Sequence, residues 1–170
     1  MTADLVIDQK WMRLALQEAL LGGGDLGSST DGAIANSDVP VGAVIVHGAD
    51  LIAKSKNRKE ELRDPTAHAE ILVIREAARK LGTWRLDGMV LYTTLEPCPM
   101  CAEAILQSRV SKVVYGTCDQ LSGALGSAFN LYGGKRIYPI PEVLGGILEE
   151  ECGQLLKEFF RERKAPQGQG

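Results

Sequence analysis

The sequence is poor in several things, and each shortage excludes something. It has four cysteines in 170 residues, too few for a disulfide scaffold. Aromatic residues make up 5% of the chain: two tryptophans, four tyrosines and three phenylalanines. No apolar run approaches the roughly 20 residues that a bilayer-spanning helix needs, which argues against a membrane protein. The stretch from Met1 to Lys10 lacks a basic region followed by an apolar one, so no signal peptide is expected. Basic charge gives no net excess: 19 Lys and Arg against 22 Asp and Glu leave −3. That balance argues against a generic nucleic-acid binder, though not against a local basic patch on an acidic body. Histidine is the scarcest useful group, present only as His47 and His68. Imidazole chemistry must therefore choose between two positions.

What is present reads as one globular domain. Hydrophobic residues make up 45% and charged residues 24%, a composition that can bury a core. Sparse free thiols fit a reducing, cytoplasmic setting. Residues 1–164 are expected to form a single domain, with the glycine-rich stretch 22–37 a flexible inserted loop. The tail 165–170 is expected to be disordered.

Periodicity sets the order of elements. Asp8 can cap a helix whose apolar face recurs at Trp11, Leu14, Ala15 and Ala19. Val41 to His47 and Leu51 to Lys56 read as a hairpin turning at Gly48 to Asp50. Asp64 or Thr66 caps a second helix with a buried stripe at Ile71, Ile74, Ala78 and Leu81, stopped by Gly82. Met89 to Thr94 is a strand, Pro99 opens a helix running to about Arg109, and Val113 to Gly116 is a strand. Arg136 to Ile140 is expected to be a fifth strand, and Glu149 to Lys164 a closing helix. From Leu51 onward strands and helices alternate, which implies parallel strands joined by right-handed crossovers. In such sheets sites gather at the C-terminal edge of the strands.

Two helix starts carry the chemistry. His68-Ala69-Glu70 opens one, and Pro97-Cys98-Pro99-Met100-Cys101 opens the next. Cys98 and Cys101 project from one side of a helix, and its N-terminus favours thiolates. His68 can reach the same point from the neighbouring helix start. One imidazole and two thiolates suit zinc, and three protein ligands leave a position for water. Water at such a site has a pKa of about 7, and Glu70 stands where it can shuttle the proton. Other readings remain: a redox C-x-x-C pair, or a closed structural zinc site completed by Cys118, Cys152 or His47. Glu70 could simply complement the helix dipole. Cys118 and Cys152 otherwise read as packed free thiols, and His47 as a turn or surface residue.

His-x-Glu followed by Pro-Cys-x-x-Cys resembles the zinc nucleoside and nucleobase deaminases. Further segments resemble the bacterial tRNA-specific adenosine deaminases in particular: Val39-Pro40-Val41-Gly42-Ala43, Asn57-Arg58, Asp64 to Glu70, Trp84-Arg85-Leu86 and Leu95-Glu96-Pro97-Cys98. So do Val114-Tyr115-Gly116, Asp119, Gly123-Ala124, Gly126-Ser127, Gly146-Ile147-Leu148 and Phe159-Phe160-Arg161.

The resemblance implies a three-layer α/β/α fold with a central five-stranded mixed sheet, and a homodimer. It implies one zinc ion on His68, Cys98 and Cys101, with Glu70 as proton shuttle. The substrate implied is the wobble adenosine of a tRNA anticodon stem-loop, with Asn57 bonding the nucleoside and Asp119 lying against it. Phe160 and Arg161 are implied to touch the anticodon loop. Asn57 and Asp119 also admit plain turn-capping roles. Phe159 falls on the buried stripe with Leu148, Cys152 and Leu155, whereas Phe160 lies off it. Cys118 and Leu121 stand where this family commonly carries basic residues. Two other functions fit the motif: a free-base or nucleotide deaminase, and a non-catalytic zinc-containing RNA-binding subunit.

Overall fold

A computed structural model describes residues 2–21 and 38–164; the expected inserted loop and C-terminal tail lie outside the described residues. Helix α1 (Ala3–Leu20) is followed by the hairpin β1 (Gly42–His47) and β2 (Asp50–Lys56). Then come a short helix α2 (Lys59–Leu62), α3 (Ala69–Leu81), β3 (Val90–Leu95), α4 (Pro99–Gln107) and β4 (Lys112–Thr117). A short strand β5 (Glu142–Leu144) and helix α5 (Glu149–Lys164) complete the described fold.

The five strands form one sheet in the order β2-β1-β3-β4-β5. β1 runs antiparallel to both its neighbours, while β3, β4 and β5 pair in parallel. β2, β3, β4 and β5 therefore share one direction, as the alternating element order implied, with β1 wedged between β2 and β3. The sheet is mixed, as expected.

Alternation along each strand builds two cores. Ala43, Ile45, Leu91 and Val113 face α3 and α4, joining Val73, Ala77, Ala102 and Ile105. Val44, Val46, Tyr92 and Val114 face the other way, onto Trp11, Met12 and Ala15 of α1 and Cys152 of α5. The result is the expected three-layer α/β/α arrangement. Gly42 permits it locally: a Cβ there would fall on the Ala15 backbone of α1.

Four local expectations are corrected. Asp8 caps nothing; α1 begins five residues earlier, and its N-cap is Thr2, which accepts from the Leu5 N–H. Asp8 is buried instead and accepts from the Tyr92 hydroxyl at 2.7 Å, with Lys112 3.7 Å away. Neither Asp64 nor Thr66 caps α3. Asp64 accepts from both the backbone N–H and hydroxyl of Thr66, closing a turn of its own, and His68 occupies the N-cap.

The buried line of α3 runs through Ala69, Val73 and Ala77. Ile71, Ile74 and Ala78 are half-buried and Leu81 is exposed. Small side chains at Ala69 and Ala77 let the helix lie close to the sheet, which fixes its rotation. The fifth strand lies at Glu142–Leu144 rather than Arg136 to Ile140. Pro139 and Pro141 supply no N–H, so ladder pairing starts only after them. Gly82 does end α3, in a left-handed conformation at φ 67°.

Candidate active site

Because β2, β3 and β4 run the same way, their C-terminal ends share one edge of the sheet. The chain beyond β2 leads to His68 at the start of α3. Beyond β3 come Glu96, Pro97 and Cys98 at the start of α4, and beyond β4 come Cys118 and Asp119. This is where the site forms.

Each helix start is arranged to release its side chains for other work. His68 and Cys98 are N-cap residues, and neither makes a side-chain cap bond. The cap of α3 is supplied from a distance: Asn57 Oδ1 accepts the Ala69 N–H at 2.8 Å. Pro99 at the first position of α4 needs no N–H partner.

His68 Nδ1 lies 3.7 Å from Cys98 Sγ and 3.5 Å from Cys101 Sγ. All three ligand atoms lie within 4.8 Å of one another. Ligands held at 2.0–2.3 Å around a tetrahedral ion stand roughly 3.5 Å apart, so this trio fits zinc. Among the described residues it is the group able to hold a metal, and no fourth protein ligand joins it. Cys152 is buried in the α1/α5 core, Cys118 is half-buried at the cleft, and His47 is exposed at the end of β1. The structure thus supports the open three-ligand arrangement over the closed one.

The trio and Glu70 shift one another's protonation. The Cys98 thiol is pulled down to about 4, chiefly because Cys101 donates to it, with His68 adding to the effect. His68 is raised, first by its hydrogen bond with Cys98. Cys101 is pushed up by the same bond to Cys98 and by burial beside Glu70. Glu70 is 4% exposed, and that burial pushes its carboxyl up to about 7. A buried acid near neutrality can both accept and return a proton at physiological pH.

A cleft of about 540 Å³ opens above the trio. It brings together Asn57, His68, Glu70, Cys98, Asp119 and Phe160, all named from the sequence. Cys101 lies buried beneath them. Arg161 is not in the cleft; it lines an adjoining surface hollow with Lys157 and Lys164, which Leu156 and Phe160 share. Phe159 is buried as expected and Phe160 is 44% exposed.

Sequence reasoning missed Glu96 and Lys59, which also line the cleft. An acid placed directly before Pro-Cys, where a strand ends, was the available signal for Glu96.

The sequence model of the cytidine and deoxycytidylate deaminase zinc-binding region matches residues 6–117. The chain belongs to this deaminase family. Among its relatives is the tRNA-specific adenosine deaminase of Bacillus subtilis, 52% identical over 125 residues, covering 74% of this chain and 78% of that one. A solved structure from work on A-to-I editing by tRNA:A34 deaminases superposes with a TM-score of 0.77 at 41% identity, over 86% of this chain and 99% of the other. The guanine deaminase of Nitrosomonas europaea superposes with a TM-score of 0.63 at 25% identity, over 94% of this chain and 85% of the other. Membership makes this a zinc-binding deaminase, and the zinc it binds when loaded supplies acidified water, with a pKa of about 7, at neutral pH. No helix among the described residues is long and apolar enough to cross a membrane.

Proposed function

We propose that this chain hydrolyses adenosine to inosine at the wobble position of a tRNA anticodon, with residues 1–164 as one deaminase domain. The observation that carries the reading is the buried Glu70 beside an open His68-Cys98-Cys101 trio, in a cleft reached by Phe160 of α5. The 52% identity to a tRNA-specific adenosine deaminase directs the choice of substrate.

In this reading His68, Cys98 and Cys101 hold the zinc. Glu70 takes a proton from the attacking water, delivers it to the purine N1, and passes a proton to the leaving amino group. Water adds at C6 and ammonia leaves, so adenosine and water become inosine and ammonia. The Asn57 carbonyl oxygen is occupied by Ala69, which leaves its amide N–H groups to bond the nucleoside. Asp119 lies against the flipped nucleotide, and Phe160 with Arg161 meets the anticodon loop. A homodimer in the cytoplasm completes the reading and rests on the resemblance.

The deciding experiment incubates the zinc-loaded protein with an anticodon stem-loop, with free guanine and with cytosine, and identifies products by mass spectrometry. Inosine at the wobble position supports the proposal. Xanthine from guanine, with an intact stem-loop, replaces it by the free-base reading. Zinc loading without turnover of any of the three supports a binding subunit.

A further inference from the structure

One wall of the cleft is anchored by a group to which the proton transfers above give no role. Glu96 follows the last residue of β3 and is 1% exposed. Its carboxylate accepts three backbone N–H groups. Oε2 takes that of Asp119 at 3.1 Å, and Oε1 takes those of Leu125 at 3.0 Å and Ser127 at 3.2 Å. Gly123 is packed against the same carboxylate, so a Cβ there would fall on the Glu96 Cδ and Oε2 atoms. Two backbone bonds fasten the wrap: Gly123 donates to the Asp119 carbonyl and Ala124 to the Pro97 carbonyl, each at 2.8 Å.

The segment 118–127 is thus irregular in conformation yet wound around one buried carboxylate. Its first part, Cys118 to Ser122, lines the cleft. Asp119 Oδ1 accepts from the Leu121 and Ser122 N–H groups, closing the turn at the cleft mouth. That turn presents Leu121, which is 88% exposed, on a fixed backbone. Glu96 stands two residues before Cys98, so three consecutive residues set both a metal ligand and the position of this wall.

We propose that Glu96 is a positioning residue for substrate. It holds the 118–127 wall at a set distance from the metal trio, so that the RNA loop meets a preformed surface. This rests on the reading that an anticodon loop is the substrate. An irregular segment left without its anchor must be ordered by the substrate itself, and that cost falls on binding rather than on the proton transfers of Glu70.

The test uses Glu96→Gln and Glu96→Ala in the zinc-loaded full chain. Glutamine keeps the volume and one acceptor oxygen, but turns an amide nitrogen toward a backbone donor. Amide hydrogen exchange at Asp119, Leu125 and Ser127 should quicken at least about ten-fold, while β3 and β4 keep their protection and zinc stays at one per chain. KM for the stem-loop should rise by about ten-fold in Glu96→Gln and further in Glu96→Ala, with kcat within about two-fold. If the alanine variant does not fold, the glutamine variant carries the test alone. Unchanged exchange in Glu96→Gln overturns the proposal; so does zinc loss, or a fall in kcat at unchanged KM. Inactivity of the parent protein toward the stem-loop overturns the RNA reading. Exchange and zinc content, which need no RNA, then still decide whether Glu96 holds the wall.

Discussion

Asn57 Oδ1 accepts the backbone N–H of Ala69 at 2.8 Å, tying the end of β2 to the first turn of α3. The bond relieves His68 of the capping role its position would give it. The imidazole is thereby free to face Cys98 and Cys101.

Two substitutions separate the cap from substrate binding. Asn57→Asp keeps an acceptor for Ala69 but lacks the amide donor, so the melting temperature should stay close to the parent's while activity falls. Asn57→Ala removes both and should also lose about 0.5–2 kcal/mol of stability, the range for removal of an N-cap. Thermal melts beside kinetics on the stem-loop distinguish the two. Equal destabilisation by both changes would remove the capping role.

The metal trio and Glu70 should respond differently to removal. Cys98→Ser and Cys101→Ser should lose most of the zinc measured by elemental analysis, and activity with it. Chelation of the parent should abolish turnover, and added zinc should restore it. Glu70→Ala should keep about one zinc per chain and fall by at least about 10²–10⁴ in kcat, the usual worth of a positioned acid-base group. Near-normal turnover in Glu70→Ala would take it out of the mechanism.

Thiol reactivity tests the burial of the four cysteines. Burial pushes Cys152 up to about 12, so at pH 8 only about one molecule in 10⁴ carries its thiolate. In zinc-loaded protein Cys118 should be the thiol that reacts with a disulfide reagent. Chelation should add Cys98, which lies near 4 without metal. Cys152 should react only on unfolding. Mass mapping of the labelled sites decides the order.

The Asp8–Tyr92 bond joins α1 to the central strand β3 at 2.7 Å, inside a buried layer. Asp8→Ala should cost about 1–3 kcal/mol in urea unfolding, because a buried hydroxyl loses its partner. Asp8→Ala with Tyr92→Phe should cost less than the sum of the two singles. Zinc content and kcat should not change, since both residues lie away from the cleft.

The α5 surface tests RNA as the substrate. Phe160→Ala should weaken stem-loop binding by roughly 1–3 kcal/mol if a base stacks on its ring. Neutralising Arg161 and Lys164 should flatten the salt dependence by about 0.7 in log–log slope for each phosphate that the protein no longer neutralises. Normal binding across a salt titration in these variants would make the end of α5 purely structural.

By itself, the sequence determined most of the element order and the metal trio with its neighbouring acid; the short helix α2 and the place of the fifth strand escaped it. Those features are written in short spacings: the apolar run from Val41 ahead of the Gly48 turn, His68 two residues from Glu70, Cys98 three residues from Cys101. Such patterns act between near neighbours, and backbone geometry alone converts them into faces and helix starts. Tertiary structure decided what depends on distant partners. Asp8 has the look of a helix cap, but its partner is Tyr92, 84 residues away. Asn57 caps a helix twelve residues on, and Glu96 gathers amides from 23 to 31 residues further along the chain. The placement of β1 between β2 and β3 is of the same kind. A buried polar group must find a partner somewhere, and which one it finds is settled only when the layers close and exclude water.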